Sequence, residues 1–331
     1  MIERTSITCS NAPVSLSWQG DTLVDWVAGG NVYHINGDFE HKGIGYAYKF
    51  DSAIQSEDGK YAVIYERLGT KALLLKSGEI LRELNRSFYQ AHVYEYPISF
   101  LKLPNGELSL VHCPTAYNLI EIEAVESEKK ITSTDKRDPS DCFHARFRSN
   151  PSGTFLLNTG WVWHPYGIMD VYDIAKGIQD NSIFDNNPFT FPVHGEVCSA
   201  DFLTDDVVVI ATFLEDPLDE AERNNLDNLY SGQIGLYSLS QGKILKKITV
   251  DYPLGRIVPI DENFVIDLFE YPKLIELNTG KIRQKFEGIF SGHQNSAIIH
   301  HLEKIPPIAI DRTNRRIAIG SDTGIELLEL K

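Results

Sequence analysis

The chain has 331 residues, 42% hydrophobic and 11% aromatic, which is enough apolar material for one large core or two ordinary ones. Its 31 basic and 46 acidic residues give a net charge of -15, which disfavours nucleic acid and anionic membranes as partners. No run approaches the roughly 18 apolar residues of a membrane span, and Glu3 and Arg4 stand where a signal peptide would be apolar, so we expect a soluble, cytoplasmic protein.

The cysteines lie far apart and have no paired CxxC spacing; they are Cys9, Cys113, Cys142 and Cys198. Neither a zinc knuckle nor a disulfide framework follows from this pattern. We expect buried free thiols, a reducing compartment and no cofactor.

Short β-rich runs separated by turn residues follow one another along the chain. The clearest unit extends from Gly45 to Leu84, where YAYKF, YAVIYER, TKALLLK and ILREL are separated by short polar or glycine-containing turns. Four such runs predict one four-stranded antiparallel sheet.

The turn between the first and second strands of this unit occurs seven times, at spacings of 39 to 57 residues. Such a period is expected of propeller blades that carry loop insertions. The turns are Gly20-Asp21, Asp58-Gly59, Asn105-Gly106, Ser152-Gly153, Asp205-Asp206, Glu262-Asn263 and Thr313-Asn314. They predict blades at approximately 14–40, 45–85, 96–135, 142–185, 194–250, 254–288, and 300–330 plus 3–10.

A second series of turns, between third and fourth strands, keeps phase with the first: Asn36-Gly37, Ser77-Gly78, Lys176-Gly177, Gln241-Gly242 and Thr279-Gly280. The seventh unit supplies only three strands before the chain stops, and the β-prone segment RTSITCS precedes the first unit. Pairing of this segment with GIELLEL would close a ring and remove its exposed edges. We therefore predict an all-β fold of one domain, a single seven-bladed β-propeller closed by its N-terminal strand.

Two segments resemble the WD-repeat family. HGEVCSADFLTDD, from His194 to Asp206, is similar to the histidine, first strand and Asp-containing turn of WD repeats, and MDVYDIAKG is similar to their third strand, with its aromatic-Asp pair at Tyr172-Asp173. The motif is confined to blades four and five, whereas the strand pattern covers the whole chain. WVWHPYGIMDVYDI also looks like a segment of uncharacterised bacterial propellers. The resemblance implies a divergent, WD-like propeller.

Aromatic residues and prolines collect in the loops between second and third strands and between blades, which emerge on one face of a propeller. Rigid aromatic side chains on loops dominate protein interfaces because they lose little entropy on binding. The predicted partner-binding residues of these loops are Tyr94, Tyr117, Trp163, His164, Tyr166, Phe189 and Tyr271.

Blade five carries the longest insertion, LEDPLDEAERNNLDNLYSG. Asp216 can cap a helix there, Pro217 suits its first position, and Gly232 lies beyond its end. The predicted short helix would hold an acidic arm over the aromatic surface, and we add its Asp219, Glu220 and Glu222 to the predicted partner-binding residues. Such charges also occur on helices that are merely solvated.

Several histidines lie just before or inside an innermost strand, near the central channel. His144, His194 and His301 could therefore bind a metal at the channel mouth and serve a hydrolase or lyase. Alternatively, each imidazole occupies the WD-type position and forms a hydrogen bond within its own blade. The sequence contains no HxH or HxxxH spacing that favours the metal.

The sequence favours a non-enzymatic, protein-binding propeller, monomeric outside its complex, because it contains no catalytic motif and is acidic. Its partner is expected to be a basic protein. The narrowest form of this hypothesis is a bacterial immunity or antitoxin protein that neutralises a basic toxin domain. A metal-assisted enzyme and a general interaction scaffold are the alternatives.

Overall fold

The computed structural model describes residues 2–186, 189–215 and 227–330. Within these ranges the chain forms seven antiparallel sheets of three or four strands. In six of them the strands are consecutive along the chain and adjacent in the sheet. Only the last sheet recruits a distant strand.

The N-terminal half begins with β1 (Ile2–Thr8), which precedes the first blade. Blade one contains β2 (Ser17–Gln19), β3 (Thr22–Asp25), β4 (Asn31–His34) and β5 (Phe39–Glu40). Blade two contains β6 (Ser52–Gln55), β7 (Tyr61–Tyr65), β8 (Lys71–Lys76) and β9 (Glu79–Asn85). Blade three contains β10 (Ile98–Lys102), β11 (Leu108–His112) and β12 (Glu121–Ala124). Blade four contains β13 (Arg148–Ser149), β14 (Phe155–Val162) and β15 (Tyr166–Asp173).

The C-terminal half continues with complete sheets. Blade five contains β16 (Val197–Phe202), β17 (Val207–Thr212), β18 (Gln233–Ser238) and β19 (Lys243–Thr249). Blade six contains β20 (Ile257–Pro259), β21 (Phe264–Asp267), β22 (Lys273–Glu276) and β23 (Ile282–Lys285). Blade seven contains β24 (Ile308–Asp311), β25 (Arg316–Gly320) and β26 (Gly324–Leu330), and β1 is its fourth strand.

Each of the seven turns predicted between first and second strands lies between those strands. Four of the five turns predicted between third and fourth strands do so as well, but the one at Lys176-Gly177 was wrong, because these residues belong to helix α1 (Ile174–Gln179). The Asp173 side chain accepts a hydrogen bond from the Lys176 N–H and caps this helix.

A short 3-10 helix (Asn181–Phe184) follows α1. The two helices stand where a four-stranded blade has its fourth strand. Gly177 lies against the Phe184 ring so closely that a side chain could not fit between them. Most of the helix predicted in the blade-five insertion falls on residues 216–226, outside the described ranges. Residues 227–230, the last part of the predicted stretch, are described and are not helical: Leu229 forms a parallel bridge with Val193. None of the helices within those ranges has the length and apolar character that a membrane crossing requires.

Apolar side chains of neighbouring blades form the core. Seven clusters of the described residues each draw on two adjacent blades, so the core is a ring of shared interfaces. Successive residues of a second strand serve opposite interfaces: Leu156 of β14 packs toward blade three and Leu157 toward blade five. This follows from the alternation of side chains across a strand. Cys113, Cys142 and Cys198 are buried free thiols, and Cys9 is partly buried.

The N-terminal strand closes the ring, as predicted. β1 is antiparallel to β26 over its full length, from Ile2 opposite Leu330 to Thr8 opposite Gly324. Ile2 packs into the core shared with blade six, and Ile7 packs into the core shared with blade one. A side chain at Gly324 would collide with the Ile7 carbonyl, so the two strands need glycine at this point.

We predict that Ile7→Ala destabilises the fold by about 2 to 5 kcal/mol, because it leaves a cavity between blades seven and one. Thr5→Ala, on the exposed part of the same strand, should change the free energy of unfolding by less than about 0.5 kcal/mol. Urea unfolding followed by tryptophan fluorescence measures both variants. Equal stabilities for the two would mean that β1 does not close the ring.

Candidate functional site

Two connections between blades meet across the channel on the face that carries the second-to-third-strand loops, here called the loop face. Residues 86–97 join blades two and three, and residues 286–307 join blades six and seven. Tyr94 forms an antiparallel bridge with Ile298, the Glu95 N–H donates to the Ala297 carbonyl (2.9 Å), and the Ile299 N–H donates to the Val93 carbonyl (3.0 Å). Because these blades are not neighbours, the paired connections span the channel mouth.

Arg86 fixes the course of the first connection. Its guanidinium is buried and donates to backbone carbonyls on both sides of it, including those of Gly69 (2.8 Å) and Tyr94 (3.0 Å). It also lies over the rings of Tyr94 and Tyr96, 4.7 and 5.0 Å from their centroids. Burial lowers the pKa of Arg86. The loop therefore wraps around one cation, which carbonyl dipoles and aromatic faces solvate in place of water.

An aromatic cluster stands beside these connections and consists of Tyr89, Tyr117, Phe143, Trp161 and Trp163. Phe143 is at its centre, stacked on Trp161 (centroids 3.9 Å apart) and on Tyr117 (4.3 Å). Trp163 meets the edges of Phe143 (5.3 Å) and Trp161 (5.5 Å), and Tyr89 lies 5.0 Å from Tyr117. Rings at these separations and angles make favourable stacked and edge-to-face contacts.

The outer members of the cluster are open to solvent. Trp163 is 44% exposed and Tyr89 41% exposed, while Phe88 beside it is 83% exposed. Phe143 and Trp161 beneath them are buried. A rigid apolar surface with a buried base is typical of a binding site rather than of isolated surface aromatics.

Buried polar side chains hold Phe143 in place. The Asn158 Oδ1 accepts from the Ala145 N–H (2.9 Å), and its amide nitrogen donates to Asp170 (3.1 Å). Gly160 lets the Phe143 carbonyl approach, since a Cβ at this position would lie 2.2 Å from that oxygen. The position of the cluster thus depends on the hairpin formed by β14 and β15.

His144 ties the Tyr117 loop to blade four. Its Nε2 lies 3.1 Å from the Asn118 carbonyl, and burial lowers the pKa of His144 to about 4. A neutral imidazole therefore donates to this carbonyl. The Tyr117 hydroxyl donates to Asp141 (2.5 Å), and burial, followed by this bond, raises the pKa of Tyr117 to about 12.

Four predicted partner-binding residues lie on the loop face near the cluster. Tyr117 and Trp163 are members of it, and His164 is exposed at the hairpin tip, with a φ of 84°. Tyr166 is partly buried, and its hydroxyl donates to the His194 carbonyl (3.2 Å). Tyr94 does not present itself to a partner: it is fully buried and packs edge-on against Phe143 from below.

The remaining predicted residues lie elsewhere. Phe189 packs 5.8 Å from Phe155, which begins β14 next to the first-to-second-strand turn, so Phe189 lies toward the opposite face. Phe189, Phe191 and Val193 pack against the core shared by blades four and five, a contact that the sequence did not reveal. Tyr271 is on the loop face in blade six, with the Lys273 ammonium 4.7 Å from its ring centroid. Asp219, Glu220 and Glu222 lie outside the described residues.

The three histidines proposed as metal ligands do not come together. In the described ranges no group of three or more His, Cys, Asp or Glu side chains is placed to hold a metal ion. His194 Nε2 pairs with the Asn228 amide (2.9 Å) in its own blade, His144 bonds to a carbonyl of blade three, and His301 is exposed. The alternative WD-type interpretation therefore fits His194, whereas His144 has partners in two blades: the Asn118 carbonyl of blade three and, 3.9 Å from its Nδ1, the Cys142 sulfur of its own blade.

The sequence interpretation missed Phe88, Tyr89, Phe143 and Arg86. The run RSFYQAHVYEY carries three of them and is rich in aromatic residues between two blades. The aromatic composition of this run could have predicted that it lies on the loop face. The stacking of Tyr89 on a ring from blade four had no signal in the sequence.

No protein-family model and no curated protein matches the sequence. Solved structures do match the fold: a chain of a mitotic checkpoint complex (TM-score 0.62, 10% identity, 99% of this chain and 95% of that chain) and U3-55K (0.60, 10%, 99% and 98%). The Swd1 β-propeller domain (Cps50) of Myceliophteria thermophila matches similarly (0.60, 11%, 99% and 98%). This chain therefore has a divergent, WD-repeat-like β-propeller fold. At these identities the likeness shows the fold alone.

We predict that His144 makes the propeller acid-sensitive. Because its folded pKa of about 4 is below the ordinary value of about 6.5, the unfolded chain binds a proton that the folded chain refuses. Stability from this group is present above pH 6.5 and is lost as the pH falls toward 4.

The measurement is the free energy of unfolding of wild type and His144→Gln between pH 7 and pH 4. The advantage of wild type over the variant should shrink by up to about 3 kcal/mol across this range. His293→Gln, an exposed position, serves as the control and should follow wild type. An advantage that stays constant with pH would contradict a neutral, buried His144.

Proposed function

We propose that this propeller is a non-enzymatic protein-binding module that engages its partner through the aromatic cluster and Phe88. The observation that carries the proposal is the exposure of Phe88, Tyr89 and Trp163 above a buried aromatic base. Large rings held rigid before binding lose little entropy at an interface. Truncation of such residues typically costs 2 kcal/mol or more of binding free energy.

We infer that the partner is basic. The chain carries a net charge of -15, and carboxylates lie around the cluster: Asp141 is exposed and bonds to Tyr117, and Glu196 bonds to the Gly167 N–H (2.9 Å) near the tip of the Trp163 hairpin. Exposed Glu215 and Asp227 flank the undescribed part of the blade-five insertion. Opposite charge on the partner would steer the encounter and orient the complex.

The narrow form of the proposal is a cytoplasmic bacterial immunity or antitoxin protein, monomeric until it captures a basic toxin domain. Three buried free thiols support a reducing compartment. A general scaffold with several partners is the alternative, and it would use the same cluster. The number of partners captured from cells distinguishes an inhibitor from a scaffold, since a dedicated inhibitor has one dominant partner.

We expect Trp163→Ala and Phe88→Ala each to weaken partner binding about 30-fold, because a hot-spot truncation costs about 2 kcal/mol. The partner is captured from the source cells on immobilised wild type, identified by mass spectrometry, purified and titrated calorimetrically. Ile80→Ala is the matched control, an equally apolar exposed side chain (58% exposed) on the outer strand β9. Equal losses for Ile80→Ala and Trp163→Ala would refute the aromatic cluster as the interface.

Charge reversal tests the electrostatic part separately. Replacement of Asp219, Glu220 and Glu222 by lysine should slow association with the captured partner at low salt, and the difference should fade as salt rises. Stopped-flow association rates measure this effect. Rates that match wild type at low salt would remove the insertion from the docking site and leave the aromatic cluster unaffected.

A further inference from the structure

The ring encloses a central cavity of about 690 Å³. First strands of five blades contribute to its wall, and Arg256 directly precedes the first strand of blade six. Glu95 and Gln294, on the two crossing connections, close it toward the loop face. Exposed turn residues Gly20, Glu57 and Asn314 border it at the other end. The cavity therefore opens on the turn face, away from the aromatic cluster.

Arginine dominates the charge of this wall, although the protein as a whole is strongly acidic. Five arginines line the cavity: Arg67, Arg146, Arg148, Arg256 and Arg312. The carboxylates that line it are Glu57, Glu95 and Asp311.

Three of the arginines are matched by a carboxylate. Arg146 donates to Glu95 (2.7 Å). Arg312 reaches across to Asp201, and Arg67 lies 3.8 Å from Asp51.

The carboxylates of the wall are not available to the remaining arginines, because each is already paired or lies at the open end. Asp311 accepts from Arg316 (2.8 Å), which lies outside the cavity wall, and Glu57 is exposed at the open end.

Two guanidinium groups of this wall form no ion pair with the described residues. Arg148 donates only to the Phe147 carbonyl (2.9 Å), and Arg256 forms no ion pair and no side-chain hydrogen bond with any described residue. Burial, and then the neighbouring Arg148, lower the pKa of Arg256 to about 9, and the Asp201 and Glu95 carboxylates, which are paired with Arg312 and Arg146, offset this only in part. A desolvated cation beside a like charge is unfavourable unless an anion compensates it.

Further donors of the same wall are unused. Arg67 Nε, Arg146 Nη1 and the Tyr96 hydroxyl are buried without a hydrogen-bond partner in the described structure. Several unsatisfied donors around one cavity indicate a missing acceptor, because buried polar groups are normally paired.

We propose that the cavity binds a small phosphate-bearing molecule, with Arg148 and Arg256 as the central anion ligands. A planar guanidinium offers two parallel N–H donors to a phosphate, and two of them can engage both ends of a diphosphate. The cavity volume is that of a small-molecule site. Trp18 and Tyr65 of the wall offer apolar area to an organic body. This site is independent of the aromatic cluster and of the partner proposed for it.

The test is calorimetric titration of the purified chain with pyrophosphate at constant ionic strength in chloride. Wild type should bind one equivalent, and Arg256→Gln should weaken binding at least tenfold. Arg283→Gln is the control, since this half-exposed arginine pairs with Glu276 on blade six; it should bind like wild type. Trp163→Ala should also bind normally, so failure of one proposal is distinguishable from failure of the other.

Thermal unfolding supplies a second readout. In chloride, Arg256→Gln should melt at or above the wild-type temperature, because it removes repulsion from Arg148, and pyrophosphate should raise the midpoint of wild type only. Arg148→Gln should reproduce both results and replaces Arg256→Gln if that variant fails to fold. Absence of saturable binding to wild type, or equal effects of pyrophosphate on wild type and variant, would overturn the proposal.

Discussion

The pairing of β1 with β26 is the constraint on which the rest of the molecule depends. Each blade buries both of its faces, one against each neighbour. Both faces of every sheet can therefore be buried only in a closed ring. β1 meets this requirement because Ile2 and Ile7, five residues apart, point to opposite faces of the sheet. Without this strand, blade seven would lose its outer strand, expose the edge of β26 and uncover both adjoining cores. The sites on both faces therefore rely on contacts made by Ile2–Thr8.

The crossing connections divide the molecule into two separate binding environments. Above them, Tyr94 supports the aromatic cluster from below; beneath them, Glu95 points its carboxylate at Arg146 in the cavity. These adjacent residues thus serve opposite sides of one backbone bridge. A mutation that loosens the bridge should disturb both sites, whereas changes to Trp163 or Arg256 each act on one side. This separation lets the two proposals be tested in one chain without interference.

Much of the fold was predictable because it is encoded in local turn chemistry. Pairs such as Asn105-Gly106 and Asp58-Gly59 mark hairpins by their tolerance of positive φ, and both glycines adopt it. The missing fourth strand of the last unit likewise predicted ring closure. Lys176-Gly177 shows the limit: the same turn-forming pair lies inside a helix because Asp173 caps it and Phe184 packs on the glycine. Tertiary contact overrode the local signal.

The candidate site was only partly predictable, because its contacts join residues that are far apart in the chain. Trp163 and Tyr117 were predicted from their positions in loops. Phe143 and Tyr89 join the cluster only through ring contacts between blades two, three and four, which the sequence does not reveal. Tyr94 looked like a surface residue because no local pattern reveals that residues 297–299 cover it. Histidines at equivalent positions suggested one metal site, but their hydrogen bonds go to different blades. The sequence repeat predicts which strand a residue belongs to. It does not predict which residues of other blades that residue contacts.

The net charge of the chain describes its outer surface but not the wall of the central cavity. A charge of -15 predicts that long polyanions are poor partners, since their field acts at the surface. It says nothing about an enclosed cavity, where low dielectric makes the nearest charges decisive. There, Arg148 and Arg256 outnumber the free carboxylates. An acidic exterior around a basic interior would reject extended polyanions and admit only an anion small enough to pass the turn-face opening. The same charge distribution therefore favours a basic protein on the loop face and a small phosphate within the channel.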